Sequence, residues 1–141
     1  MDLNLSQKIV LVTGGTSGIG KETVKSFLTE GALVISLSRN KDKIDKLKND
    51  LKKFVLKKKL YLYTCDCKNI DDVKKTIWEV DKDIGNVDIL INNIGNGSGN
   101  NQSIPELKEW ESSWNTNFQS AFNVTYFLLK NIIKKKGTII F

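Results

Sequence analysis

The feature that most limits the possible folds of this chain is a strict alternation of apolar runs with segments of helical periodicity. The runs are continuously apolar, which is typical of strands buried on both faces of a parallel sheet. Five such strands are predicted, at residues 8–14, 33–38, 60–65, 87–93 and 138–141. Right-handed crossovers favour an α/β, doubly wound parallel sheet in the strand order 3-2-1-4-5, with helices on both faces.

Four helices are predicted between these strands, from apolar residues that recur three or four positions apart. Gly31 and Gly85 are expected to end the first and third of them. The fourth is one long helix, whose apolar side we interpret as a face buried in the core or in an interface. The residues that mark the four apolar faces are Ile19, Val24, Phe27 and Leu28; Ile44, Leu47, Leu51 and Phe54; Ile70, Val73, Ile77, Val80 and Ile84; and Trp110, Trp114, Phe118, Phe122, Leu129 and Ile133.

Three glycines lie where the first strand turns into the first helix, in the segment VLVTGGTSGIGKET. Gly14 permits a tight turn, Gly18 lets the backbone approach a pyrophosphate, and Gly20 lets the helix pack closely on the strand. Free N–H groups and the positive end of the helix dipole then favour a bound phosphate. The alternative is a turn in which the glycines are purely structural, but the strand–turn–helix context favours phosphate binding.

The spacing T-G-x-x-x-G-x-G at residues 13–20 resembles that of the short-chain dehydrogenase/reductase family. Three further motifs follow in the family's order: CD at 65–66, NNIG at 92–95 with Ile94 in place of the usual Ala, and EWESSWNTNF at 109–118. The resemblance covers essentially the whole chain and implies an NAD(P)-binding Rossmann domain over residues 1–141. The cofactor-binding residues that it implies are Gly14, Gly15, Thr16, Ser17, Gly18, Ile19, Gly20, Ser38, Arg39, Asp66, Cys67, Asn93 and Gly95.

The end of the second strand indicates which nucleotide is preferred. An acid at this position would bond the ribose 2′-hydroxyl of NAD, but Ser38 stands there and Arg39 follows. A guanidinium can hold a 2′-phosphate bidentately, so NADP is predicted over NAD. A solvated Arg39 is the alternative, and Ser17 lies where NADP-preferring relatives often carry a second basic residue.

The resemblance implies hydride transfer to or from a carbonyl or alcohol substrate, supported by a Ser, a Tyr, a Lys and an Asn. Only Asn117 has a counterpart in this sequence, and it could instead be a mid-helix Asn that bonds local backbone. We expect the Ser soon after Phe141 and the Tyr–Lys pair on the next helix, so that this chain is a front half truncated at the fifth strand and inactive alone. Tyr126 and Lys130 share the Y-x-x-x-K spacing but precede that strand, and we interpret Tyr126 as a core or interface residue.

Composition excludes some classes of protein. The net charge of +6 comes largely from lysines at 41–59 and 134–136, which could attract nucleic acid but are better explained as solvated helix faces. With no His in the chain, Cys65 and Cys67 are interpreted as reduced apolar residues rather than metal ligands or a disulfide. The lack of a long apolar run and of a signal-like N-terminus predicts a cytoplasmic protein without a membrane partner.

The resemblance also implies a homo-oligomer in the full-length parent. The alternatives to an oxidoreductase are a non-catalytic dinucleotide-binding module, one half of a split enzyme, and, more remotely, a basic nucleic-acid-binding protein. The Gly/Asn/Ser loop at 95–103 is expected to be either a mobile border of the substrate cleft or a plain linker.

Overall fold

The computed structural model of the chain describes residues 3–97 and 104–141. Most of the 95–103 loop, for which a mobile border and a linker are both predicted, lies outside the described residues. The described parts contain five strands, β1 (Ile9–Thr13), β2 (Leu33–Ser38), β3 (Leu60–Thr64), β4 (Ile89–Ile91) and β5 (Thr138–Ile140). They form one parallel sheet in the order β3-β2-β1-β4-β5. The predicted fold class and strand order are therefore confirmed.

The helices of the described residues are α1 (Gly18–Thr29), α2 (Lys41–Asp50), α3 (Lys52–Leu56), α4 (Ile70–Asp83), α5 (Leu107–Trp114) and α6 (Ser120–Lys134). Two predicted helices are divided. The second breaks at Leu51, whose φ of −112° and ψ of 26° leave the helical region. The fourth contains a π-helical segment, Asn115–Gln119, between α5 and α6. Neither break follows a glycine or proline, so the sequence pattern gave no sign of it.

Two apolar layers cover the sheet, because successive side chains of a strand point to opposite faces. Leu11, Ile35 and Leu90 pack on one face with α4 and α6. Val10, Val12 and Val34 pack on the other, chiefly with α1 and α2. Both faces of β1 and of β2 are therefore covered. The polar ends of these two strands are left to form a site.

The apolar side of the long helix is not part of this core. Of the two interpretations of Tyr126, a core residue or an interface residue, the first is therefore wrong and the second stays a prediction. Tyr126 is 61% exposed, and the remaining stripe residues are exposed as well. The side of α6 that packs on the protein is instead Ser120, Asn123, Val124, Leu128 and Ile132. The helix carries apolar residues on two sides, and the smaller side chains are the ones that approach the sheet and α4. We call the exposed set Trp110, Trp114, Phe118, Phe122 and Tyr126 the aromatic face.

Within the part of the chain that the structure describes, none of the helices has the length and apolarity that crossing a membrane requires.

Candidate functional site

A cleft of about 800 Å³ opens at the carboxyl edge of the sheet. It lies where strand order reverses between β1 and β4, the usual position of ligands in open parallel sheets. The segments after β1, β2, β3 and β4 line it, together with one side of α5 and the π-helical segment. The predicted site residues that line it are Gly14, Thr16, Ser17, Gly18, Ile19, Gly20, Ser38, Arg39, Asp66, Cys67, Asn93 and Gly95.

The glycine turn has the conformations that its residues suggested. Gly14 and Gly18 have φ values of +66° and +53°, in the left-handed region that side-chain-bearing residues rarely adopt. A Cβ on Gly18 would meet no atom within 4 Å, because this residue faces the open cleft. A Cβ on Gly20 would overlap the Gly14 carbonyl oxygen and the Asn93 amide, so helix α1 lies directly against the turn. Gly18 is therefore free for a ligand to approach, whereas Gly20 is fixed by packing.

Gly15 differs from the other predicted glycines, because it does not line the cleft. It is buried, and a Cβ there would lie 2.5 Å from Ser36 Oγ. Its place in the turn is explained by packing against β2. Ile19, predicted as an apolar mark of the first helix, is exposed at the cleft rather than buried in the core.

The turn is tied to the end of β4 by Asn93. Its Nδ2 donates to the carbonyl oxygens of Thr13 at 3.1 Å and Gly14 at 3.3 Å. Its backbone N–H donates to Thr13 Oγ1 at 3.0 Å. Three hydrogen bonds thus fix the glycine turn relative to the loop that carries Gly95, and two of them are made by the amide of Asn93.

Cations and hydrogen-bond donors gather after β2. Ser38 Oγ accepts hydrogen bonds from Thr16 Oγ1 at 3.1 Å and from the Asn40 N–H at 3.3 Å. The Ser38 hydroxyl thus lies beside these donors at the edge of the cleft. Arg39, the only arginine in the sequence, and Lys43 line the same end. Among the described lining residues, Asp66 is the one carboxylate, and it lies on the segment after β3.

The segment after β3 is a tight turn held by its own polar groups. The Asp66 N–H donates to Asp72 Oδ2 at 2.7 Å, and the Lys68 N–H donates to Asp66 Oδ1 at 3.1 Å. Cys65 and Cys67 flank Asp66 as buried free thiols. Hydrogen bonding with the Cys65 thiol, together with burial, raises the pKa of the Cys67 thiol far above its ordinary value, so Cys67 stays protonated.

Asn117, the predicted catalytic residue, lies in the π-helical segment and does not itself line the cleft. Its Oδ1 accepts from the Asn96 N–H at 2.6 Å, and its Nδ2 donates to the Asn96 carbonyl oxygen at 3.2 Å. Asn117 therefore holds the loop after β4 by two hydrogen bonds. Gly95 and Asn96 of this loop line the cleft. As in the alternative prediction, Asn117 bonds backbone groups. These groups belong to Asn96, however, which is 21 residues away, so the bonding is not local. Tyr126 and Lys130 lie outside the lining set.

Several lining residues were not predicted: Asn40, Lys43, Cys65, Lys68, Ile94, Asn96, Ser112, Thr116 and Ser120. Two signals could have found some of them. Lys43 lies in the first turn of the helix that follows the Ser38–Arg39 segment. Asn40 is of a residue type that is favoured at the N-cap of a helix, and it caps this one. Ser112, Thr116 and Ser120 recur every four residues, which places small polar side chains on one side of a helix.

The chain is matched over residues 8–141 by the family model described as short chain dehydrogenase. An uncharacterized oxidoreductase of Bacillus subtilis, YvrD, is 36% identical over 141 residues, which are 99% of this chain and 52% of that protein. The 3-oxoacyl-[acyl-carrier-protein] reductase FabG of Thermotoga maritima is 32% identical, over 98% of this chain and 56% of its own length.

Among solved structures, L-sorbose reductase from Gluconobacter frateurii, complexed with NADPH and L-sorbose, superposes with a TM-score of 0.88 at 26% identity. The match covers 99% of this chain and 53% of that one. The chain thus spans about half the length of the relatives that it matches.

Proposed function

The chain belongs to the short chain dehydrogenase family, and on that premise we propose that it is the cofactor-binding part of an NADP(H)-dependent oxidoreductase. The reaction is hydride transfer between NADP(H) and a small-molecule carbonyl or alcohol. The observation that carries the proposal is the cleft at the sheet edge, around which the glycine turn, the cationic group after β2 and Asp66 are arranged.

The residues of the cleft fit a dinucleotide of this kind. The exposed first turn of α1 offers backbone N–H groups and the positive helix end to a pyrophosphate, and Gly18 leaves the space open. Ser38, Arg39 and Lys43 would surround a 2′-phosphate with donors and positive charge. Asp66 Oδ2, which makes no hydrogen bond to a described residue, would accept from the exocyclic amine of adenine.

When bound, the nicotinamide would supply or accept the hydride. The chain's own contribution at that end is positional. Asn117 holds the Asn96 backbone at 2.6 and 3.2 Å, and Asn93 holds the glycine turn. Together these amides fix the loop after β4, which would border the nicotinamide.

Of the four catalytic side chains that the family resemblance implies, Asn117 alone is matched in these 141 residues. We therefore propose that turnover needs residues outside this sequence, from a longer parent or a second chain. The 141-residue chain should show no NADPH-dependent carbonyl reduction above background. Turnover that is abolished by Tyr126→Phe would contradict this and would assign a catalytic role to Tyr126.

Homo-oligomerisation is proposed to use the aromatic face. The rings of Trp114, Phe118, Phe122 and Tyr126 follow one another along the helix, with centroids 4.4, 6.2 and 6.1 Å apart. A continuous exposed apolar surface of this kind is typical of interfaces, and a second copy would bury it against the same surface. Light scattering should show association that Phe118→Asp weakens; a monomer throughout would contradict the proposal.

The cofactor assignment is tested by replacing Arg39 with Ala and with Asp. Because a charge-assisted hydrogen bond contributes about 1.5–3 kcal/mol, we expect NADPH affinity to fall by about 10- to 100-fold while NADH affinity is unchanged. Lys46→Ala is the matched control, since it also removes one positive charge. Lys46 lies in α2 and does not line the cleft. Titration calorimetry with both cofactors measures the result. Equal losses for NADPH and NADH, or no loss, would overturn the preference for NADP.

A further inference from the structure

Asn123 is a buried polar residue of α6 to which no role has been given so far. It is only 1% exposed, although amide side chains are seldom this buried unless they are fully hydrogen-bonded. It lies on the side of α6 that faces the sheet, three residues beyond the cleft residue Ser120. Its surroundings therefore decide what it does.

The amide of Asn123 joins α6 to the turn after β3. Its Nδ2 donates to the carbonyl oxygen of Cys67 at 3.0 Å and to that of Lys68 at 3.2 Å. Its Oδ1 accepts from Gln119 Nε2 at 2.8 Å. Both donor hydrogens are used and the acceptor is engaged, so the orientation of the amide is determined. A reversed amide would place its oxygen against two carbonyl oxygens, which is repulsive.

The bond to Cys67 reaches Asp66 through one peptide group. The carbonyl of the peptide between Cys67 and Lys68 accepts from Asn123, and the N–H of the same peptide donates to Asp66 Oδ1 at 3.1 Å. Since a peptide group is planar, fixing its carbonyl also fixes the direction of its N–H. The orientation of the carboxylate of Asp66, which lines the cleft, therefore depends on Asn123.

We propose that Asn123 is a positioning residue for the adenine end of the cofactor, acting through this peptide on the carboxylate of Asp66. The inference rests on the proposed function, which assigns the exocyclic amine of adenine to Asp66. It adds that a residue 57 positions from Asp66 along the printed sequence, and outside the cleft lining, determines recognition of that amine.

The test compares NADPH with deamino-NADPH, in which hypoxanthine replaces adenine and the exocyclic amine is absent. Asn123→Leu should weaken NADPH binding by about tenfold and deamino-NADPH binding by less than about twofold, because only the first ligand uses the oriented carboxylate. Asn131→Leu is the matched control. It removes an amide from the same helix, but that amide bonds Asp81, away from the cleft. This control should leave both affinities unchanged.

The comparison separates positioning from general support of the fold. Equal weakening of both ligands, or no weakening of NADPH, would overturn the inference while leaving the proposed function intact. If the unmodified chain binds neither ligand, the proposed function fails and the inference fails with it. Should Asn123→Leu not fold, Asn123→Asp keeps the volume and removes the donor, and the same selective loss of NADPH is expected.

Discussion

Gly18 and Gly20 are two residues apart in one turn, and the structure predicts opposite outcomes when each is replaced by Ala. Gly18 has a φ of +53°, and its added methyl group would project into open space in the cleft. Gly20 is buried, and its added methyl group would overlap the Gly14 carbonyl oxygen. The first change should therefore act on ligand binding and the second on the stability of the fold.

The expected magnitudes follow from these two environments. For Gly18→Ala, left-handed backbone costs a side-chain-bearing residue about 1–2 kcal/mol, and the lower chain entropy of Ala in the unfolded state offsets about 0.4–1 kcal/mol of it. The free energy of unfolding should fall by about 1 kcal/mol. For Gly20→Ala, overpacking against backbone should lower it by about 3 kcal/mol, and the Asn93 bond to Gly14, now 3.3 Å, would be lost.

Urea denaturation and thermal melts measure the changes in stability, and calorimetric titration with NADPH measures the change in binding. At about 3 °C per kcal/mol, the melting temperature should fall by about 3 °C for Gly18→Ala and about 9 °C for Gly20→Ala. Gly18→Ala should nevertheless lose at least about tenfold in NADPH affinity, since a pyrophosphate approaches this backbone. Gly97→Ala is the control, because its Cβ would meet nothing within 4 Å and no left-handed φ is involved. Full NADPH affinity in Gly18→Ala would refute the reasoning.

Two further predictions concern carboxylates outside the cleft. Asp88 is 4% exposed, accepts from the Ile9 N–H at 2.9 Å and lies 3.5 Å from Lys135 Nζ. Asp88→Ala should therefore lower the free energy of unfolding by about 2 kcal/mol. Asp88→Asn should lower it by about half as much, because an acceptor for the Ile9 N–H remains. Equal losses for the two variants in urea titrations would contradict the role of the Ile9 bond. Burial raises the pKa of Asp81 above its usual value, against the opposing effect of the Asn131 hydrogen bond. The folded state thus favours the protonated form, so the contribution of Asp81 to stability is greatest below the unfolded-state pKa of 3.8 and is lost as the pH rises through the higher folded-state pKa. Asp81→Asn should gain stability relative to the unmodified chain between pH 3 and pH 7 in thermal melts, and a constant difference would refute the assignment.

The sheet was predictable because its central strands β1 and β2 are buried on both faces and every strand carries its own apolar signal. The runs at β1 and β2 are mostly apolar, and their flanking glycines mark the turns. The strand order followed from right-handed crossovers and not from any single residue. Twelve of the residues inferred for the cofactor line the cleft because the carboxyl ends of parallel strands share one edge.

Whether the exposed side of the last helix is a core or an interface could not be decided from the sequence, for a physical reason. Large aromatic residues at helical spacing are usually buried, but in α6 the space between helix and sheet is filled by Val124, Leu128 and Ile132. Hydrophobic periodicity gives the direction of an apolar face and not the identity of its partner, so it could not separate a core from an exposed surface. The π-helical segment also escaped prediction, since it inserts no glycine or proline.

The polar residues on the inner side of the last helix explain why so much of the site depends on one element. Asn117 holds the loop after β4, and Asn123 holds the turn after β3. In addition, Thr125 Oγ1 accepts from Asn92 Nδ2 at 3.0 Å, directly after β4. These bonds join the helical stretch from the π-helical segment through α6 to the loops after β3 and β4, so a shift of this stretch would move both loops together.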